Sequence, residues 1–452
     1  MNGNPEFFER LLTEAFEVGV NAAKPLMGVQ QCWQGEIRQW LDTVAPERKA
    51  VWVYGAGKAA ASMASALEFA CSDAEQLKGF VVTRRGHEVP TRCIEVVQAA
   101  HPVPDEEGQR AALRLIRELS AVPQGDAVIA LVSGGGSSLL SVPVPSIPFS
   151  DLQQLNRVLL ASGAPIQEMN VVRKHVTRSL GGQLAAGCSV PVFQLLISDV
   201  PGDAPEFIAS GPFVADDSTF RDAMDVLDRW EISAPQSVIS HLEAGIRGDV
   251  PETPGRDSAV FKQVSTRLLA SNALTLDAVA LYLQNAGYAV LSLGDSIEGE
   301  SRDVAGVTAA MVAQIAQGKS NWPKLPVALI SGGECTVTLT EKDLESAKGG
   351  RNSEFLLALF HALGSMEIPC SVSALAADTD GIDGVGGHAG ALLLPGDLDR
   401  AATLGLSTKR HLDQHNSYDF FDAMGRLLMT GPTTTNVNDL RIVLIGQPAE
   451  AV

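Results

Sequence analysis

Apolar residues along the chain follow two alternating rhythms. Short, nearly unbroken apolar runs of strand length, at 51–54, 127–132, 192–197 and 327–330, are separated by stretches in which apolar positions recur every three to four residues. Unbroken short runs belong to strands covered on both faces, so the alternation predicts an α/β protein with a mostly parallel sheet. The periodic stretches predict helices over 5–20, 33–43, 105–119 and 166–186. Between 245 and 262 the text GIRGDVPETPGRDSAVFK loses all apolar period and fills with Gly, Pro and charge, which predicts a linker. The pattern then restarts with the strand-like STRLLAS. Two domains are therefore expected, 1–250 and a smaller α/β domain over 263–452, a division that suits 452 residues.

Composition narrows the function classes. With 34 basic against 53 acidic residues the formal charge is −19, which repels nucleic acid phosphates and anionic lipid surfaces. An anionic small substrate would need a local basic pocket. The six cysteines form no C-x-x-C pair, so neither a zinc site nor a disulfide framework is expected. The beginning of the chain is acidic and amphipathic where a signal peptide would be basic and then apolar, and no apolar run reaches membrane-spanning length. A cytoplasmic protein with neither membrane nor nucleic acid partner is expected; a homodimer stays open.

The unusual residues gather where the apolar runs end, the place where α/β sheets bind ligands. The endings are GAGK (55–58), SGGGSS (133–138), SDVPGD (198–203), SGGE (331–334) and ADTDGIDG (377–384). Gly55, Gly57 and the small residues after them nearly spell a dinucleotide fingerprint, and Arg84 and Arg85 after the next strand would suit a 2′-phosphate; a plain tight turn presenting Lys58 explains the same text. Ser133, Gly134, Gly135, Gly136, Ser137 and Ser138 can turn several backbone N–H groups toward one anion, which makes them a candidate phosphate cradle. Gly332, Gly333 and Glu334 repeat that ending in the second half. Asp199 with Asp203, and Asp378 with Asp380 and Asp383, are two carboxylate clusters, either of which could hold Mg²⁺ or cap its own turn. The cations that could face a phosphoryl group or a substrate carboxylate are Lys58, the Arg173-Lys174-His175 group and Arg351. Asn170, Lys174 and Arg178 would share one face of the expected 166–186 helix, a face most simply read as solvated. Asn436, Asn438 and Asp439 in GPTTTNVND could hold substrate hydroxyls or order their own loop.

In this order, GAGKA, HPVPD, SGGGSS, EMNVVRKH, ISDVPGD with IASGP, SGGE, GGRNSE, TDGIDG and GPTTTNVNDL resemble the class II glycerate 2-kinases, some of which carry the name hydroxypyruvate reductase. The resemblance covers nearly the whole chain. It implies a Rossmann-like N-terminal domain, a smaller C-terminal one with the active site in the cleft between them, and transfer of the ATP γ-phosphoryl group to the 2-hydroxyl of D-glycerate with Mg²⁺. By motif, Lys58 and Arg351 would be the catalytic and phosphate-stabilising cations and 133–138 the anion site; Asp199, from its place beside the Pro-Gly turn, would activate the hydroxyl or hold metal. Phe213, Thr434 and the 385–388 turn depart from the family's usual text and bear on substrate choice. An NAD(P)H-dependent hydroxypyruvate reductase and a non-catalytic sugar-phosphate sensor are the competing readings.

Overall fold

The computed structural model describes residues 4–73, 76–319, 322–340 and 346–448. The chain divides into two compact units, Pro25–Leu269 and Met1–Lys24 with Ala270–Val452.

The first unit is built on a six-stranded sheet of β1 (Val51–Ala56), β2 (Leu77–Arg84), β3 (Glu95–Ala99), β4 (Ala127–Ser133), β5 (Val192–Ile197) and β6 (Val264–Ala270) in the order β3-β2-β1-β4-β5-β6. Strands β1 to β5 pair in parallel, with Val51 opposite Leu77 on one side and Ala127 on the other. Every residue of β4 and β5 is buried, which is why these strands are nearly continuous apolar runs, with Gln194 the one polar residue inside β5. The chain winds outward from β1 through β2 to β3, then returns to lay β4 on the opposite side of β1. That reversal is the topological switch point of the sheet, and its crevice opens at the carboxyl ends of β1 and β4.

The second unit holds a mixed sheet of β7 (Ala289–Ser292), β9 (Val327–Ser331), β11 (Val372–Asp378), β12 (Gly390–Leu393), β13 (Leu427–Leu428) and β14 (Asp439–Ile445), ordered β13-β12-β11-β14-β9-β7. Only the β7–β9 pair among them is parallel. A short parallel pair, β8 (Ile297–Glu300) with β10 (Gly333–Thr336), stands apart. Side chains alternate along β14: Ile442 and Leu444 join Phe8, Phe16 and Val279 from helices Pro5–Ala23 and Asn272–Asn285, while Val443 and Ile445 join Val312 and Phe355 from helices Ser301–Ala316 and Arg351–Leu363.

Three local expectations differ from the structure. STRLLAS is the last strand of the first sheet, not the first of the second. The Gly- and Pro-rich stretch is bound into the first unit, where Glu252 accepts the Phe220 N–H and Thr253 donates to Asp216. The contact division accordingly falls at Leu269 rather than within 245–262, and the first helix groups with the C-terminal unit. The expected helix over 166–186 stops at Val176, because Thr177 is extended; only a single turn, Gln183–Ala186, follows.

Candidate active site

At the switch point the β1 loop is tied to the β4 loop and to β2. The Lys58 N–H donates to the Gly134 carbonyl at 2.9 Å, the Ala59 N–H to Ser133 Oγ at 3.1 Å, and Thr83 Oγ1 to the Gly57 carbonyl at 3.1 Å. Each glycine here is required by a close neighbour. A Cβ on Gly55 would stand 1.9 Å from the Leu131 carbonyl oxygen, and one on Gly57 would stand 2.0 Å from Ser133 Oγ. The dinucleotide-like glycines therefore serve the approach of β1 to β4, and the tight-turn reading accounts for them.

The β4 loop has different neighbours. A Cβ on Gly134 would fall 1.6 Å from the Asp199 carboxylate, and one on Gly136 2.6 Å from the Ala209 methyl. Gly135, at φ +79°, lies beneath His101 and Lys58: its Cβ position is 3.1 Å from His101 Nε2 and 3.4 Å from Lys58 Cγ. Lys58, His101, Asp199 and the segment around Ala209 thus converge on three successive glycines. Ser137 Oγ meets Ser210 Oγ at 2.8 Å. Ser138 turns back to the Gly135 carbonyl at 3.2 Å, capping its own turn.

Ala209 and Ser210 adopt left-handed backbone at φ +51° and +57°, which costs an L-residue roughly 1–2 kcal/mol each. Their surroundings hold them there: the Gly181 N–H donates to the Ser210 carbonyl at 2.9 Å and the Gly182 N–H to that of Gly211 at 2.7 Å. This segment is the IASGP motif, to which the sequence alone gives no role. Asp203 sits in the turn after Asp199 at φ +56°.

Positive charges act on His101 despite the acidic chain. Burial pushes the His101 imidazole down to about 3, with the charges of Lys58, Arg84, Arg173 and His87 acting in the same direction. His101 is therefore neutral at physiological pH. Arg85 is drawn away to Asp105 at 2.6 Å. Lys174, expected on a solvated face, is buried and paired with the equally buried Asp216 at 3.2 Å; burial opposes the Asp216 charge, but Lys174 and the Ser218 and Thr253 hydroxyls hold its carboxyl below the usual range. Arg178 lies beyond the helix end and is exposed. The helix instead turns Arg173 inward, where Nε donates to Asn156 at 3.0 Å and Nη1 to Asn170 at 3.1 Å.

Arg351 occupies another environment, in the second unit. Its guanidinium meets Asp439 and Asp378 at 2.7 Å each and Glu334 at 3.3 Å. Burial works against the Arg351 charge, and the carboxylates of Asp439, Asp378 and Glu334 outweigh it. Asp439 also pairs with Arg441 and accepts from Asn352 Nδ2 at 2.7 Å. Burial raises both aspartates, but the two guanidiniums hold the Asp439 carboxyl below its ordinary range, whereas burial with Asp380 and Asp439 nearby drives Asp378 well above it. Asp383 caps the helix Arg351–Leu363 from outside, accepting the Asn352 and Ser353 N–H groups at 2.9 and 2.8 Å; Gly350 leaves the space it fills. Asp380 Oδ1 accepts the Ile382 N–H and Asn436 Oδ1 the Asn438 N–H, both local turn contacts. A Cβ on Gly332 would stand 1.6 Å from the Asn272 amide oxygen, and one on Gly333 would meet the Ile297 backbone. The SGGE glycines are thus filled by neighbours, and only Glu334 of that ending reaches Arg351. Among the described residues no three His, Cys, Asp or Glu side chains are grouped to hold a metal ion.

Comparison with known proteins agrees with the motif order. Residues 11–243 match a domain of unknown function, DUF4147, and 327–439 match the MOFRL family. A crystal structure of a glycerate kinase from Thermotoga maritima superposes with a TM-score of 0.82 at 32% identity, covering 98% of this chain and 100% of that one. The chain belongs to the class II glycerate kinase family. Within that family it is 38% identical to a glycerate 2-kinase of Pyrococcus horikoshii over 398 residues, 87% of each chain. It is 45% identical, over 395 residues and again 87% of each chain, to an Agrobacterium vitis protein provisionally named hydroxypyruvate reductase. No described helix is long and apolar enough to cross a membrane.

Proposed function

We propose that this protein is an ATP-dependent D-glycerate 2-kinase acting in the cytoplasm. The observation that carries the reading is the convergence of Lys58, His101 and Asp199 on the three glycines at the switch point of the parallel sheet. Phosphoryl transfer asks for little covalent chemistry and much charge placement. Lys58 neutralises charge on the transferring group. The Asp199 carboxylate takes the proton of the 2-hydroxyl as the new O–P bond forms and the bond to the ADP oxygen breaks. Mg²⁺, which favours one or two carboxylates with water and phosphate oxygens, suits Asp199 with Asp203 close by in the chain; it would offset the triphosphate charge. Asp378 suits it less, being engaged by Arg351. Arg351 enters as the organiser of Asp439, Asp378 and Glu334, since an incoming phosphate would have to displace three carboxylates.

The competing reading, an NAD(P)H-dependent hydroxypyruvate reductase, draws on the name of the Agrobacterium vitis relative. Against it, the fingerprint glycines are filled by β4, and Arg85 is spent on Asp105. Two parallel assays on one preparation decide between them: ADP release with ATP, Mg²⁺ and D-glycerate, and NAD(P)H oxidation with hydroxypyruvate. The kinase reading expects the first alone, and a protein giving only the second would overturn it.

A further inference from the structure

Three Lys or Arg side chains are buried among the described residues: Arg173, Lys174 and Arg441. Lys174 has Asp216 and Arg441 has Asp439. Arg173, only 8% exposed, has no carboxylate within ion-pair distance among the described residues; its partners are the neutral amide oxygens of Asn156 and Asn170, and Nη2 makes no hydrogen bond. Leaving a guanidinium buried against neutral groups is costly, and burial alone pushes Arg173 down to about 10. A protein tolerates such a charge when a ligand completes it. The helix that carries Arg173 runs beside the IASGP segment: the next residue's ammonium, Lys174 Nζ, stands 5.5 Å from the Phe207 ring, and Gly181 and Gly182 beyond the helix donate to the Ser210 and Gly211 carbonyls. Ala209 of that segment and the His101 ring both close on the glycines 134–136, and the Arg173 charge acts on His101 in the same direction as that of Lys58.

We propose that Arg173 binds the carboxylate of the hydroxy-acid substrate beside the His101 imidazole, and so makes the site select acids over neutral polyols. The inference rests on the hydroxy-acid reading above and adds the residue that recognises the acid. Asn156 and Asn170 fix the guanidinium through Nε and Nη1, so the remaining donors can offer the planar fork that a carboxylate matches. The neutral imidazole can donate a further hydrogen bond without adding charge.

The test compares D-glycerate with its neutral amide, D-glyceramide, by calorimetric binding and by steady-state kinetics. The intact protein should prefer the acid by roughly 10- to 100-fold, the range for hydrogen bonds to charged groups. Arg173→Gln should abolish most of that preference and raise the KM for glycerate while leaving the KM for ATP unchanged, a split that a merely structural role would not produce. Should Arg173→Gln fail to fold, Arg173→Lys carries the same comparison, because the charge remains and the fork is lost; its glycerate affinity should fall. A folded variant that keeps the acid preference overturns the inference, as does an intact protein with no preference. If the intact protein releases no ADP yet binds glycerate through Arg173, the kinase reading fails and this one stands. If ADP is released and glycerate binding ignores Arg173, the reverse holds.

Discussion

Two arginines in this protein are treated in opposite ways. Arg351 is surrounded by Asp439, Asp378 and Glu334, while Arg173 is more deeply buried and meets only two amide oxygens. A guanidinium whose charge is already balanced holds a scaffold in place. One left unbalanced, on a helix beside the segment that meets the crevice glycines, is ready for an anion. The motif text makes Arg351 the more conspicuous of the two, flanked by glycines in GGRNSE; the charge around it gives the substrate-facing role to Arg173 instead.

The contrast can be broken most forcefully at Asp439. Asp439→Asn leaves Arg351 and Arg441 short of their shared counter-ion and should cost about 3–5 kcal/mol of stability, read by chemical denaturation. Lys58→Ala should leave stability nearly intact and lower kcat by roughly 10²- to 10³-fold, with a much smaller change in ATP affinity, because a cation aimed at the transferring group acts in the transition state. An unchanged kcat would return Lys58 to the role of a turn residue. Gly134→Ala places a methyl where the Asp199 carboxylate lies, so Asp199 must swing away; kcat should fall more than tenfold, and restoring Gly should be the only single change that recovers it. The smallest effect is expected at Asp378→Asn. Burial raises the Asp378 carboxyl well above its ordinary range, so its charge balances Arg351 less fully than that of Asp439 and an amide should replace it at a cost of about 1 kcal/mol or less. Above the ordinary carboxylate range the unfolded chain has lost that proton while the native state retains it, so this group withdraws stability as pH rises toward its raised native value. Asp378→Asn should accordingly gain on the wild type as pH rises above the ordinary carboxylate range, and a difference that stays constant there would contradict the assignment.

The strand ends were legible because buried parallel strands are nearly all apolar and stop abruptly, so β1, β4, β5 and β9 announce both themselves and the loops that follow. What each glycine is for was not legible. Gly57 and Gly135 look alike in the text, yet one makes room for Ser133 and the other for His101 and Lys58. The choice between Arg173 and Lys174 was hidden for a similar reason. Helical spacing places neighbouring residues about 100° apart, but whether a side chain is neutralised depends on Asp216, distant in sequence. The helix stop at Val176 also escaped the periodic pattern, since apolar spacing continues past it into the Gln183–Ala186 turn. Ser210 was visible only as part of a motif; its left-handed backbone and its contact with Ser137 arise from packing between loops.

The most direct test of phosphoryl transfer to the 2-hydroxyl is phosphorus NMR of the protein incubated with ATP, Mg²⁺ and D-glycerate. Carbon 2 carries a single proton and carbon 3 carries a pair, so the product's phosphate resonance reports its own attachment. The account predicts a new monoester doublet that grows far more slowly with Lys58→Ala; a triplet, or no new resonance beside active reduction of hydroxypyruvate, would contradict it.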